Sequence, residues 1–273
     1  MKKTIFITGT STGLGKHTAL YFADQGWNVA ATLRNPEKET ELMNHPNIKM
    51  FKLDVTSLEQ VKVVTKQVVE AFGQIDVVVN NAGVGTYGAL ELATEEAIDW
   101  QFAVNVRGPI NIIRSFLPHF RANGGGMFIN ISSLMGLTTS SPTGSLYNMS
   151  KFALEGLVEG LYYELKPLNI KLRLIEQGGS EGNNFVNSIT WNTDDKITAY
   201  DDITAKVKHM MANADSSMKS DPQDIVDAIF ALATGQSDQF RTLVGPMTQK
   251  LVELRNSMPI EQFLDMIAAK FED

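Results

Sequence analysis

Near the N-terminus a short apolar run, Thr4 to Thr8, passes directly into Gly9-Thr10-Ser11-Thr12-Gly13-Leu14-Gly15. A periodic apolar segment with Ala19, Leu20, Phe22 and Ala23 follows and stops at Gly26. A buried strand that enters a helix through a glycine-rich turn limits the folds open to a chain. Glycine lets the backbone bend sharply, and the helix that starts there offers unpaired N–H groups and the positive end of its dipole to an anion such as a diphosphate. The spacing is Gly-x3-Gly-x-Gly, not the Gly-x-Gly-x-x-Gly of the standard dinucleotide fingerprint. On this stretch alone, a helix-capping loop with no ligand remains an alternative.

The same alternation continues. Strands are expected at 28–33, 48–53, 75–79, 127–131, 170–175 and 240–244, with amphipathic helices between them. The helix after Asp54-Val55 has Thr56 or Ser57 as its cap, an apolar stripe of Val61, Val64, Val68 and Phe72, and Gly73 as its stop. Strands alternating with helices call for a parallel sheet covered on both faces, a doubly wound α/β fold forming a single domain over 1–273. Right-handed crossovers bring the strand C-termini to one edge. That edge collects Arg34-Asn35, Asp54-Val55, Asn80-Asn81-Ala82-Gly83 and Ser132-Ser133. Segment 178–220 is more polar and is expected to be a partly helical lid over this edge, with a surface insertion as the alternative. Segment 246–273 is expected to be a helical extension carrying one long helix, Leu251 to Phe271.

Tyr147 and Lys151 lie four apart at the start of a helix that continues through Leu154, Leu157, Val158 and Leu161, so they share one face. A nearby cation favours the phenolate and would bring Tyr147 within reach of acid–base work. The second strand ends in Leu33-Arg34 where dinucleotide folds that take NAD(H) carry an acid, and an arginine there suits a 2′-phosphate. The net charge of −7 argues against a nucleic-acid partner. The absence of cysteine removes thiolate chemistry and disulfides, and no run is long enough for a membrane span. His17, His45, His119 and His209 have no metal-ligand spacing, so no metal is expected. A cytoplasmic protein is the expectation.

Taken together, Thr8-Gly9-x3-Gly13-x-Gly15, Asp54, Asn80-Asn81-Ala82-Gly83, Asn105, Ser133 and Tyr147-x3-Lys151 resemble the short-chain dehydrogenase/reductase family over nearly the whole chain. The resemblance implies an NADP(H)-dependent ketone or aldehyde reductase, with NADP(H) preferred and NAD(H) also admitted. Tyr147 would be the proton donor or base, Ser133 would polarise the substrate oxygen, and Lys151 would lower the Tyr147 pKa and hold the nicotinamide ribose. Asn105 would hold a water linking Lys151 to solvent. Gly9, Ser11, Thr12, Gly13, Leu14, Gly15, Arg34, Asn35, Asp54, Val55, Asn81, Ala82, Gly83 and Gly178 would meet the cofactor. Ser132 competes with Ser133; Gly136, three residues after Ser133, favours the latter.

One stretch departs from the family. Where relatives carry Pro-Gly and then a threonine, this chain reads Gln177-Gly178-Gly179-Ser180-Glu181-Gly182-Asn183-Asn184. Without the proline the free loop has more conformational entropy to lose. Ser180 or Asn183 is expected to replace the threonine's contact. Tyr87, Leu134, Phe185 and Trp191 are expected to wall an apolar substrate pocket suited to a hydrophobic small molecule. A homo-oligomer, dimer or tetramer, is expected. A non-catalytic NADP(H)-binding sensor on the same fold is the rival, disfavoured because both Tyr147 and Lys151 are present.

Overall fold

The computed structural model describes residues 2–180 and 185–272. In chain order, β1 (Thr4–Thr8), α1 (Gly13–Asp24), β2 (Asn28–Leu33), β3 (Ile48–Lys52), α2 (Leu58–Phe72) and β4 (Val77–Asn80) make the first half. There follow β5 (Thr86–Tyr87), α3 (Glu95–Phe102), a π-helical turn (Ala103–Arg107), α4 (Gly108–Ala122), β6 (Gly126–Ile131), α5 (Ser145–Leu165) and β7 (Ile170–Gln177). The rest holds β8 (Thr190–Trp191), α6 (Asp201–Ala212), α7 (Pro222–Thr234), β9 (Arg241–Val244), α8 (Pro246–Asn256) and α9 (Ile260–Ala268).

The expected sheet is present: seven parallel strands in the order β3-β2-β1-β4-β6-β7-β9. The order reverses between β1 and β4, where ligands settle in open α/β sheets. Strand sequences are apolar almost throughout because both sheet faces are covered. One face buries Phe22, Ile225, Ile229 and Leu232 of α1 and α7, and the other buries Val64, Ile112, Phe116, Leu154 and Val158 of α2, α4 and α5. Ser57 does cap α2, its hydroxyl accepting from the Gln60 N–H, and Gly73 ends it at φ +77°.

Two expectations are corrected. The strand expected at 75–79 begins and ends later, at Val77–Asn80; before it the Ile75 N–H is taken by His119 Nε2 at 3.1 Å. The single helix expected from Leu251 to Phe271 is two helices, α8 and α9, parted at Ser257-Met258-Pro259, since a proline cannot continue the backbone hydrogen-bond ladder. α9 and Phe271 pack on α6 through Val207, Phe263 and Ile267. The expected lid region therefore shares a small core with the C-terminal extension. It also gains an anchor that the sequence did not announce, where β8 pairs with β5 and sets Trp191 beside Tyr87. No helix among the described residues is long and apolar enough to cross a membrane.

Candidate active site

The C-terminal edge of the sheet holds a cleft of about 480 Å³. Its floor is the turn after β1. Gly9 has φ +71°, and a Cβ there would lie 2.9 Å from Ala82 Cα; a Cβ on Gly15 would lie 2.3 Å from the Gly9 carbonyl oxygen. Only glycine permits this approach of α1, the turn and the β4 exit. Thr8 locks the same junction, its hydroxyl accepting from the Asn81 and Ala82 N–H groups at 3.0 Å each. The Asn81 amide returns two bonds, to the carbonyls of Thr8 and Gly9.

Gly9, Ser11, Thr12, Gly13, Leu14, Gly15, Arg34, Asp54, Val55, Asn81, Ala82, Gly83, Tyr147 and Lys151 all line this cleft, as the sequence leads one to expect. Asn35 instead precedes the one-turn helix at Pro36–Lys38, and Gly178 faces Thr248 and Leu134; neither lines the cleft. Asp54 spends Oδ1 on the backbone and hydroxyl of Thr56. The exposed rim carries Arg34, whose guanidinium stands 5.9 Å from the Trp100 ring centroid. Trp100 was missed as a site residue because nothing local marks it; only the crossing of α3 over the β2 end brings it there. The cradle of glycine turn, helix N-terminus and basic rim suits an anionic dinucleotide.

At the inner end Tyr147, Lys151 and Ser133 meet, all three buried. Ser133 begins the turn after β6, its hydroxyl accepting from the Met135 N–H at 3.1 Å. It caps that turn and lies near the Tyr147 phenol, whose charged form it favours. Ser132 lines the cleft and its hydroxyl lies beside Glu155, whereas Ser133, which does not line the cleft, is the serine near the Tyr147 phenol. Asn105 sits in the π-helical turn. Its amide grips Val84 on both sides, accepting from the N–H and donating to the carbonyl at 2.9 Å each, and donates to Ser150. Lys151 Nζ donates to the Ile131 carbonyl at 2.8 Å.

The expectation that Lys151 lowers the Tyr147 pKa is corrected. Burial pushes the phenol up to about 12, with the nearby Ser133 hydroxyl opposing. Two rings enclose it: Tyr87 stacks at 5.7 Å and Phe185 tilts against it at 5.2 Å. Lys151 is itself lowered to about 8 by burial, with the Glu155 charge opposing. Its ammonium stands 5.8 Å from the phenol ring centroid. Desolvation is the largest influence on both groups.

Tyr87, Phe185 and Trp191 do come together, with Met135, Ile189 and Met211, as an apolar wall on Tyr147. Gly85 makes room for it: a Cβ there would be 2.6 Å from Phe185 Cζ. Leu134 is buried beside Gly178. Ser180 bridges to Ser220. Gly182 and Asn183 lie outside the described residues.

A family model for short chain dehydrogenases matches residues 3–193. The chain belongs to the short-chain dehydrogenase family and is an oxidoreductase enzyme. It is 35% identical over 251 residues to a 3-ketodihydrosphingosine reductase of Bacteroides thetaiotaomicron, covering 90% of this chain and 89% of that protein. Among solved structures it is similar to a short-chain dehydrogenase of Streptomyces avermitilis, with TM-score 0.81, 29% identity and 98% of each chain covered. It is also similar to ElxO, solved with NADP bound, with TM-score 0.74, 25% identity, and 92% of this chain and 100% of that one covered.

Proposed function

We propose that the enzyme reduces a hydrophobic ketone or aldehyde with NADPH, or runs the reverse oxidation of a secondary alcohol. The observation that carries this reading is the buried Tyr147 phenol, with Ser133 near it, in a cleft whose outer rim is Arg34. NADPH, when bound, supplies the hydride. The glycine turn and the α1 N-terminus would hold its diphosphate, and Arg34 its 2′-phosphate, with no acid at Leu33 to repel it. NAD(H), lacking that phosphate, would bind more weakly.

A substrate carbonyl would accept hydrogen bonds from Ser133 and Tyr147, and Tyr147 would give up its proton to the oxygen. A phenol raised to about 12 is protonated across the neutral range, the state a donor needs, so the charge found here suits reduction. Lys151 would hold the nicotinamide ribose hydroxyls and stabilise the phenolate left behind. The wall of Tyr87, Phe185 and Trp191 favours an apolar substrate next to the reacting carbon. The name of the Bacteroides relative makes 3-ketodihydrosphingosine the first substrate to try. A homo-oligomer fits the exposure of Met149 and Phe152 on α5, which leaves apolar surface for a second copy to cover.

The test follows cofactor oxidation by absorbance, with NADPH and then NADH, against 3-ketodihydrosphingosine and a panel of hydrophobic ketones and aldehydes. Turnover should favour NADPH. Tyr147→Phe should cut kcat by roughly 10²–10⁴, the usual contribution of a positioned proton donor, without loss of NADPH binding. A Tyr147→Phe enzyme with full activity would overturn the assignment of the donor. Preference for NADH would overturn the role of Arg34.

A further inference from the structure

Beneath the Tyr147–Lys151 pair lies a charged cluster that the chemistry described above does not use. Glu155, one helical turn after Lys151 on α5, is 4% exposed, and Glu176, near the end of β7, is 0% exposed. Arg241, at the start of β9, reaches between them. Its Nε and Nη2 donate to Glu155 Oε2 at 3.2 and 3.0 Å. Its Nη1 pairs with Glu159 at 3.0 Å. The same Nε stands 3.3 Å from Glu176 Oε1 but points its proton at Glu155. Both oxygens of Glu176 therefore have no hydrogen bond, and neither does Glu155 Oε1. Ser132, just after β6, sits beside the Glu155 carboxyl; burial pushes that carboxyl up, with Ser132, Arg241 and Lys151 opposing.

Arg241 is shared with Glu159, and the Lys151 ammonium is the other cation near the two buried carboxyls. Burial holds the proton on the carboxyl that is more poorly paired with cations. The unequal hydrogen bonding says which: Glu155 receives two charged N–H groups and Glu176 none. Glu155 is then the anion, and it lies four residues from Lys151 on the same buried helix face, where the two charges act on each other without an ion-pair contact. A buried ammonium without a counter-charge gives up its proton readily. A neutral Lys151 would lose the charge that a phenolate needs beside it.

We propose that Glu155 is a positioning residue for Lys151: its carboxylate, held ionised by Arg241 and Ser132, keeps the buried amine in its ammonium form, while Glu176 carries the proton. The groups that face the Glu155 carboxyl are Lys151 and Glu159 from its own helix, Ser132 from just after β6, Glu176 from β7 and Arg241 from β9. The value of this charge for turnover rests on the role given to Lys151 above. The charge coupling itself does not.

The test is an NMR titration of lysine side chains, ¹³Cε and ¹⁵Nζ, in the cofactor-free full chain, with the Lys151 signal assigned by its loss in Lys151→Arg. Glu155→Gln should lower the Lys151 midpoint by about 1 pH unit or more, the usual effect of losing an adjacent opposite charge. Glu155→Asp, which keeps the charge, should restore most of it. Glu159→Gln, at the exposed end, should leave it in place. Ser132→Ala, a mild change that removes one support of the Glu155 charge, should lower the midpoint by less than Glu155→Gln. An unmoved midpoint in a folded Glu155→Gln protein overturns the proposal, as does a Glu155→Asp protein that shifts as far as Glu155→Gln, or an equal shift in Glu159→Gln. If Glu155→Gln fails to fold, Ser132→Ala decides alone, and no shift there overturns it. Because no substrate is used, a shifted midpoint with no reductase activity would count against the reductase reading and leave this one standing.

Discussion

At the scale of single residues the inner end of the cleft is governed by desolvation. Tyr87 and Phe185 close over the Tyr147 phenol and hold its proton on, while the same burial loosens the proton of Lys151. Glu176 shows the same force on a carboxyl: burial first, then the Glu155 charge, push it up to about 8 against the pull of Arg241. In the unfolded chain this group titrates near 4.3. Between those two values the folded protein holds a proton that the unfolded one has lost, so this group makes stability fall as pH rises from about 4 to about 8, and the full cost stands above that window. Glu176→Gln keeps the neutral shape and removes the cost. It should leave the melting temperature nearly unchanged at pH 4 and raise it at pH 9, by about 2–4 °C for each kcal/mol recovered. Thermal melts at the two pH values check this; a variant less stable than the parent at pH 9 would mean that Glu176 is ionised and well paired. The Tyr147-x3-Lys151 spacing could be read from the sequence, but the charge cluster under it was not. Its signal was there in part, since Glu155 interrupts the buried face of an amphipathic helix and Glu176 follows Leu174 and Ile175 near the end of a strand. Without knowing that β7 and β9 are neighbours, Arg241 could not be matched to either.

At the scale of elements the β1–turn–α1 unit carries the most information per residue. Its glycines are required by geometry that strand, turn and helix periodicity already imply. Gly9→Ala would place a Cβ at φ +71° and 2.9 Å from the Ala82 backbone. It should cost about 1–3 kcal/mol, read as a melting temperature lowered by several degrees, and should weaken NADPH binding in a fluorescence titration by at least tenfold. An unchanged melt and affinity would show that the turn relaxes without these contacts. Helix ends were legible wherever a cap or stop is local, as at Ser57 and Gly73. The C-terminal helix was misjudged because its apolar period carries across Pro259 while the backbone cannot. The two-residue strands β5 and β8 escaped the sequence entirely, since each exists only by pairing with the other.

At the scale of the whole molecule, a second small core joins the region before α7 to the chain end. Phe263 is fully buried there with Val207, Ile267 and Phe271, and Lys206 donates to the Phe271 carbonyl at 2.9 Å. Phe263→Ala should cost about 3–5 kcal/mol, or roughly 10 °C in melting temperature, and should speed protease cleavage within 201–212 before the sheet is lost. Cleavage unchanged in rate and place would mean that α6 is held by the main body alone. The sequence by itself determined the doubly wound sheet, the edge at which its turns gather, and the glycine turn, because strand and helix periods and local backbone demands are written in neighbouring residues. Only the tertiary structure decided that Trp100 meets Arg34, that Phe185 and Tyr87 close on the phenol, and that Arg241 lies between two buried glutamates. Those contacts join residues far apart in the chain, and their energies depend on how much water is excluded, which no local pattern encodes.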